Sequence, residues 1–238
     1  MTVHFGALIP STNTTVEIEY SHLLPAEVMQ AHYGRLMSSN HGASPFASPL
    51  DADVEYQSKL LGTARVKMIA LIQTSACLFK DDYDETTCAR ITEHSGGVPA
   101  ITSAMAIGEA LKALGARHVA LVSPYSEEVN ARARHYFESK HAVKIAALEG
   151  FAAKDSYMIG KLGPENARDA FARIDRPEIE AFVVPGGNFP TMVSVPAWER
   201  EFKKPVVTTN QATVWAILRR LGRKDRVPGL GKLLEMPA

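Results

Sequence analysis

Hydrophobic runs alternate with amphipathic segments along the whole chain. The run Val3–Pro10 (VHFGALIP) predicts a first strand, and the next segment (STNTTVEIEYSHLL) opens a helix with Ser and Thr caps and early glutamates. Residues 66–73 (VKMIALIQ) form a continuous apolar run, which is typical of a central strand covered on both faces. A short strand (VPAIT) and a helix that ends at Gly115 follow. This alternation predicts an α/β fold with parallel sheets and right-handed crossovers.

The second half of the chain repeats the order of these segments. Three pairs match: VHFGALIPSTNTTVEIEY with RHVALVSPYSEEVNARARHYF, MIALIQTSA with AFVVPGGNF, and VPAITSAMAIGEALKALG with KPVVTTNQATVWAILRRLG. The repeat predicts two pseudo-symmetric, doubly wound parallel-sheet lobes, one of residues 1–115 with 210–238 and one of residues 116–209. The turns PST, QTSA, SPY and PGGN should meet in a cleft between the lobes, because ligands of open α/β sheets lie outside the carboxyl ends of the strands.

Charge and composition exclude several classes of partner. Lys plus Arg and Asp plus Glu each number 26, so no net charge favours nucleic acid or an anionic membrane. No apolar run approaches the ~20 residues that span a bilayer, and the N-terminus lacks the charged region of a signal peptide. Two cysteines do not make a disulfide framework, which favours the cytoplasm. We expect no nucleic acid and no membrane as partners, and we expect a homodimer or higher homo-oligomer.

Sequence motifs for cofactors and for a serine hydrolase are absent. The chain has no GxGxxG or Walker sequence for a nucleotide, and it has no GxSxG elbow. Its eight histidines are scattered without metal-ligand spacing. We therefore expect neither a cofactor nor a metal.

Hydroxyl and amide side chains cluster at the predicted strand ends. Thr74 and Ser75 follow the central strand, Asn13 follows the first strand, and Tyr125 follows Pro124 at the matching place in the second half. Consecutive backbone N–H groups in such turns can bind an anion, and hydroxyls beside them add fixed dipoles. Each residue also has a structural interpretation: Asn13 as a helix cap, Thr74 and Ser75 as turn residues, and Tyr125 as a packing residue.

Five parts of the sequence resemble a known protein family: PSTNTTVEIEY, the TS of QTSA, GVPAITS with ALKALG, VALVSPYSEEVN and VVTTNQATVWAILRRLG. Together they resemble the aspartate/glutamate racemase superfamily, in the branch of maleate cis–trans isomerase, arylmalonate decarboxylase and the ectoine-utilisation protein EutA. The resemblance implies an Asp/Glu racemase-like pair of lobes with a cofactor-free site in the cleft, where a carboxylate is held. It implies that the carboxylate is bound by Asn13, Thr74, Ser75, Tyr125, Gly187 and Asn188.

The same resemblance assigns the family's two cysteines to positions that hold no thiol in this chain. The first position falls on Gln73 and the second on Gly186. Gln73 cannot shuttle a proton at pH 7, but it can donate a hydrogen bond to an oxyanion or position a water molecule. Cys77, four residues later, has two interpretations, a role near the site or packing. The candidate catalytic residues are therefore Gln73, Tyr125 and Cys77.

Two loops supply further candidate binding residues. The segment 36–55 is rich in Ser, Pro and Gly, and long loops of this kind are usually functional or disordered. It holds His41, a titratable residue that lies either on the surface or in the cleft. Gly186 and Gly187 suit a tight turn, and the same glycines would let a ligand approach the backbone beside Asn188.

These features support two hypotheses for the function. In the first, the protein is a cofactor-independent enzyme of this superfamily that acts on a small mono- or dicarboxylate. A one-sided reaction, such as decarboxylation, lyase cleavage or hydrolysis with the same oxyanion-binding groups, suits the missing cysteine pair better than two-thiol isomerisation or racemisation. In the second, the protein binds a carboxylate without catalysis, in an auxiliary role. We favour the enzyme, because a binding protein does not need a lid-like loop; the sequence does not indicate the substrate.

Overall fold

Two parallel four-stranded sheets with flanking helices make up the computed structural model, which describes residues 1–37 and 51–236. The strands are β1 (Val3–Pro10), β2 (Met29–Leu36), β3 (Ile69–Leu71), β4 (Ala100–Thr102), β5 (His118–Ser123), β6 (Lys144–Gly150), β7 (Ala181–Val184) and β8 (Val206–Thr208). The helices are α1 (Val16–Leu23), α2 (Asp51–Thr63), α3 (Tyr83–His94), α4 (Ser103–Leu114), α5 (Glu127–His141), α6 (Ser156–Ile159), α7 (Pro164–Ile174), α8 (Val195–Phe202), α9 (Thr209–Arg220) and α10 (Lys232–Glu235).

The two sheets have the same strand order, β2-β1-β3-β4 in the first half and β6-β5-β7-β8 in the second. All of these pairings are parallel. The prediction of an α/β fold built from two similar halves is therefore confirmed. The lobe boundaries at 115/116 and 209/210 stay a proposal.

Strand pairing shows which residues of the two halves are equivalent. Leu71 pairs with Thr102 in the first sheet, and Val184 pairs with Thr208 in the second. Thr102 and Thr208 directly precede the helices α4 and α9. Leu71 and Val184 therefore occupy equivalent positions, and the turns that follow them are equivalent as well.

Most predicted elements are present, with shorter central strands than the apolar runs suggest. Only Ile69–Leu71 of the run 66–73 pairs in the sheet, and the turn after it continues as a 3₁₀ helix, Thr74–Leu78. Helix α4 ends as predicted at Gly115, whose φ of +70° is favourable for glycine. The strands β2 and β6 were not predicted. Both are edge strands with many half-exposed side chains, so they lack a continuous apolar run.

Helices α4 and α9 follow equivalent strands and pack against each other, which joins the two halves. Ten successive residues of α9, 209–218, are buried. A helix that is buried on all sides lies inside the molecule. In the described ranges, neither α9 nor any other helix is long and apolar enough to cross a membrane.

Helix α2 approaches the end of helix α3 closely at Gly62. A Cβ atom built on Gly62 would lie 2.2 Å from the carbonyl oxygen of Ser95, far inside contact distance. Although alanine is about 1 kcal/mol better than glycine in an open helix, we expect Gly62→Ala to lower the free energy of unfolding by about 1–3 kcal/mol. Urea denaturation measures this change.

The control for this prediction is Lys59→Ala, a change at an exposed position of the same helix. It should alter the free energy of unfolding by less than about 0.5 kcal/mol. A Gly62→Ala protein as stable as the wild type would show that α2 and α3 can separate at no cost.

Candidate active site

A small pocket lies where the carboxyl ends of strands from both sheets meet. Its lining comes mainly from the turns after β1, β3, β5 and β7, as expected for ligand sites of parallel sheets. The cavity volume is about 40 Å³, which is room for about three water molecules. The pocket brings together eight of the ten residues predicted from the sequence: Asn13, Gln73, Thr74, Ser75, Tyr125, Gly186, Gly187 and Asn188.

The hydroxyl of Thr74 is the centre of a buried polar cluster. It lies 2.9 Å from the hydroxyl of Ser103 and 3.2 Å from that of Thr209, and it hydrogen-bonds to the phenol of Tyr125. The Thr209 oxygen also accepts a hydrogen bond of 2.8 Å from the backbone N–H of Gly186. Ser103 and Thr209 begin the equivalent helices α4 and α9, so this cluster connects the halves beside the pocket.

Backbone N–H groups at two of the strand ends are available to a ligand. Within the described ranges, the N–H groups of Thr74, Ser75, Gly187 and Asn188 donate to no protein acceptor. The first N–H groups of a helical turn have no acceptor within that turn, and consecutive ones form a nest for anions. These two equivalent pairs of donors can bind a carboxylate.

Asn13 has the capping role that the sequence left open. Its Oδ1 accepts hydrogen bonds of 3.0 Å from the backbone N–H groups of Thr15 and Val16 at the start of α1. Asn13 also lines the pocket. Its side chain therefore caps α1 and lies next to the space that a ligand would occupy.

Asn188 links the two halves at the pocket rim. Its Oδ1 accepts from the Thr14 N–H at 2.8 Å, and its Nδ2 donates to the Ser156 carbonyl at 2.7 Å. The hydroxyl of Thr15 donates to the backbone carbonyl of Asn188 at 2.8 Å. Because both the oxygen and the nitrogen of the side-chain amide are already hydrogen-bonded, the group of Asn188 that can bind a ligand is its backbone N–H.

Gln73 and Gly186 occupy equivalent places, two residues beyond the paired residues Leu71 and Val184. Gln73 is 9% exposed, and its Oε1 is buried without a hydrogen-bond partner in the described structure. A Cβ atom built on Gly186 would lie 3.5 Å from the phenolic oxygen of Tyr125. Gly186 has a φ of +108°, which is strained for any other residue. A side chain at position 186 would therefore meet the ring of Pro124 first and the phenol of Tyr125 next, and the backbone conformation favours glycine.

Tyr125 is the one titratable side chain among the described lining residues. It is 2% exposed, and burial raises the pKa of its phenol well above the usual value of 10.0. The phenol therefore stays protonated through the physiological range and can act as an acid. Across the described residues, no group of three or more His, Cys, Asp or Glu side chains is arranged to hold a metal ion.

Cys77 lies outside the lining of the pocket. It is fully buried, its Sγ is 3.7 Å from the carbonyl oxygen of Gln73, and burial raises the pKa of its thiol well above the usual value. A buried thiol with a raised pKa is a poor nucleophile. This placement agrees with the packing interpretation and gives no support to a catalytic role. His41 lies outside the described residues.

Five of the described lining residues were not predicted as site residues: Pro10, Thr12, Ile72, Ser156 and Ile159. The hydroxyl of Thr12 lies 2.9 Å from that of Ser156, in a contact between the halves. Thr12 belongs to the same PSTN turn as Asn13 and could have been selected with it. Ser156 and Ile159 lie on α6, in the connection after β6, a strand without a continuous apolar run.

Comparison with known proteins gives a consistent assignment. A family model described as arylmalonate decarboxylase matches residues 5–234. A maleate isomerase of Alcaligenes faecalis is 25% identical over 98% of this chain and 97% of its own, and one of Nocardia farcinica is 29% identical over 97% and 94%. An arylmalonate decarboxylase of Bordetella bronchiseptica is 24% identical over 71% of each chain.

Solved structures of maleate isomerases share the whole fold. A variant of the isomerase Iso from Pseudomonas putida S16, solved with maleate, has a TM-score of 0.90 at 25% identity and covers 99% of this chain and 98% of its own. A Nocardia farcinica variant with a covalently bound succinylcysteine intermediate has a TM-score of 0.88 at 26% identity, with full coverage of both chains. The chain belongs to the arylmalonate decarboxylase family, and it is an enzyme of the isomerase and decarboxylase type found in that family.

Proposed function

We propose that this enzyme decarboxylates a small dicarboxylate that carries both carboxyl groups on one carbon atom, without a cofactor. The one-sided chemistry of the pocket is the observation that supports this most. Tyr125 can donate a proton, whereas the equivalent positions Gln73 and Gly186 hold an amide and a bare backbone. A single positioned acid delivers one proton from one face, and decarboxylation needs no more than that.

The proposed reaction begins with one carboxylate bound by the backbone N–H groups of residues 74–75 and 187–188. The bond from the central carbon to the second carboxyl group breaks, CO₂ leaves, and the electron pair stays on the central carbon and the retained carboxylate as an enediolate. The N–H groups and the Thr74 hydroxyl stabilise the charge that develops on its oxygens. Tyr125 then protonates the carbon, and the tyrosinate takes a proton from water.

The apolar part of the lining supports loss of the second carboxylate. Pro10, Ile72 and Ile159 line the pocket, and the two isoleucines are buried. These side chains offer no hydrogen bond, and no cationic side chain lines the pocket in the described ranges. A carboxylate against them is poorly solvated, and its departure as neutral CO₂ moves the negative charge away from these side chains onto the enediolate.

Thiol chemistry of the kind seen in a relative is disfavoured for this chain. The solved structure of a Nocardia farcinica maleate isomerase variant holds a covalently bound succinylcysteine intermediate. Here Gln73 and Gly186 replace the two thiols that the resemblance assigns, and Cys77 lies outside the pocket lining. A cis–trans isomerisation through a covalent cysteine adduct therefore has no suitable nucleophile among the described lining residues.

Carboxylate binding without turnover is a second candidate function. It is favoured by the absence, among the described lining residues, of a group that titrates near neutral pH. A hydrolase with the same carboxylate-binding groups has less support, because no base lies among those residues to activate Thr74 or Ser75. The proposal also includes the cytoplasm as the compartment and a homodimer or higher homo-oligomer as the assembly, which light scattering can test.

A substrate panel in heavy water tests the proposed function. Malonate, methylmalonate, phenylmalonate and maleate are incubated with the enzyme and followed by proton NMR and CO₂ release. We expect at least one malonate to lose CO₂ and to gain one deuterium at its central carbon. Binding of the malonates without CO₂ release would favour the second candidate, and conversion of maleate to fumarate would contradict the proposal.

Tyr125→Phe removes the proposed acid and keeps the ring. We expect kcat to fall by about 10²–10⁴-fold, with a smaller change in KM. Because burial raises the phenol pKa and the protonated form is the active one, the wild-type activity should not fall through ionisation of Tyr125 between pH 7 and 10. Steady-state kinetics across this range check both statements.

Tyr136→Phe is the matched control for this change. Tyr136 is also buried, but its hydroxyl donates to Asp84 and it does not line the pocket. This variant should lose stability and retain turnover. Equal activity of Tyr125→Phe and the wild type would show that another group supplies the proton.

Gln73 should matter to activity more than Cys77 does. Cys77→Ala and treatment of the native enzyme with iodoacetamide should leave turnover within about twofold, since the thiol is buried and does not line the pocket. Gln73→Ala should raise KM by about tenfold through loss of a hydrogen bond to the bound anion. Fast inactivation by iodoacetamide that substrate prevents and Cys77→Ala abolishes would show that the thiol is the working group.

A further inference from the structure

A buried carboxylate outside the pocket contacts the chain segment that follows the second pocket turn. Glu19, on α1 of the first half, is 7% exposed. Its Oε1 accepts hydrogen bonds from the backbone N–H groups of Thr191 at 2.7 Å and Met192 at 2.8 Å. Its Oε2 accepts a hydrogen bond of 2.6 Å from Nδ2 of Asn210 on α9. One carboxylate of the first half therefore gathers three donors from two separate segments.

Asn210 extends this contact to the pocket turn itself. Its Nδ2 also donates to the carbonyl oxygen of Gly187 at 3.0 Å. A Cβ atom built on Gly187 would lie 3.1 Å from Oδ1 of Asn210 and 2.7 Å from Cγ2 of Ile72. The turn is thus packed closely on both sides, and the Gly187 carbonyl is fixed by an amide that Glu19 holds.

The position of Glu19 is costly, so it needs a reason. Burial raises the pKa of its carboxyl group in spite of the three donors, and removing a carboxylate from water is expensive. An apolar side chain would fill the same space without that cost. What only the carboxylate provides is a set of directional hydrogen bonds to several N–H groups at once.

We propose that Glu19 is a positioning residue of the site: through Asn210 and the segment 191–192, it holds the backbone N–H groups of Gly187 and Asn188 in the orientation that binds the substrate carboxylate. Glu19 does not line the pocket itself. The inference rests on the proposed carboxylate-binding function of these N–H groups, and it adds a residue that acts on them from outside the pocket.

Glu199 offers a matched control. This glutamate on α8 accepts hydrogen bonds from the backbone N–H groups of Val206 at 3.0 Å and Lys232 at 2.7 Å. Burial raises the pKa of its carboxyl group too, and it does not line the pocket. Glu199→Gln therefore removes the same kind of carboxylate-to-backbone contact at a place that does not touch the pocket turn.

The test uses malonate as the probe anion and titration calorimetry as the measurement. Glu19→Gln keeps the shape of the side chain but replaces one accepting oxygen by an N–H donor, so at least one of the three contacts is lost. We expect it to weaken malonate binding by about tenfold. Glu199→Gln should bind malonate within about twofold of the wild type. Urea denaturation of both variants separates this effect from a general loss of stability.

A second readout follows the pocket turn directly. In amide NMR spectra of the wild type, malonate should shift the Gly187 and Asn188 resonances, and in Glu19→Gln this response should be reduced at the same malonate concentration. If Glu19→Gln does not fold, Asn210→Ala replaces it, because this change breaks the link to Gly187 while leaving the Glu19 contacts to residues 191–192.

Two results would overturn the positioning role. The first is that Glu19→Gln binds malonate as tightly as the wild type does, or that Asn210→Ala does so where it replaces Glu19→Gln. The other is an equal loss of affinity in Glu19→Gln and Glu199→Gln, which would mark a general effect of stability. Failure of the wild type itself to bind or turn over any of the malonates would instead overturn the proposed function, and the positioning role with it.

Discussion

Hydrogen bonds that cross between the two halves determine the geometry of the pocket. The Thr74 hydroxyl meets that of Thr209, which also accepts the N–H of Gly186, and Asn188 accepts the N–H of Thr14. Buried polar groups at the strand ends need partners, and here these come from the opposite half of the chain. The pocket is therefore a property of the assembled pair of sheets, and neither half contains it alone.

The scaffold is symmetric, but the bonds that join it are not. Helices α1 and α5 follow the equivalent strands β1 and β5, and each reaches across to the other half. On one side, α1 presents the carboxylate of Glu19 to backbone N–H groups. On the other side, α5 presents the Tyr136 hydroxyl and the Lys140 amine to the carboxylate of Asp84. Equivalent helices thus make different contacts between the halves: α1 supplies a carboxylate acceptor, and α5 supplies a hydroxyl and an amine as donors.

The pocket shows the same asymmetry at two positions that strand pairing makes equivalent. Gln73 and Gly186 are equivalent by strand pairing, yet one carries an amide and the other carries no side chain. The space beside Gly186 is taken by the ring of Pro124 and the phenol of Tyr125. A pocket whose described lining holds one titratable side chain suits a reaction that moves a single proton, and for this reason the asymmetry of the lining bears on the proposed type of reaction.

The sequence by itself determined the fold class and most of the lining of the pocket. An apolar run followed by a small polar turn is a local pattern, and parallel sheets bring all such turns to one edge. The repeated segments placed Gln73 and Gly186 in equivalent positions, and strand pairing agrees. The edge strands β2 and β6 were missed because they are only half buried and show no continuous apolar run.

The tertiary structure alone decided the role of each polar side chain. The sequence left Asn13 between capping and binding and Cys77 between packing and chemistry, and it gave no reason to select Glu19. Glu19 finds its donors 172 and 173 residues away at Thr191 and Met192. A local pattern can specify that a residue is buried, but the partner of a buried polar group depends on how distant segments pack, and that information is not present in any short stretch of the chain.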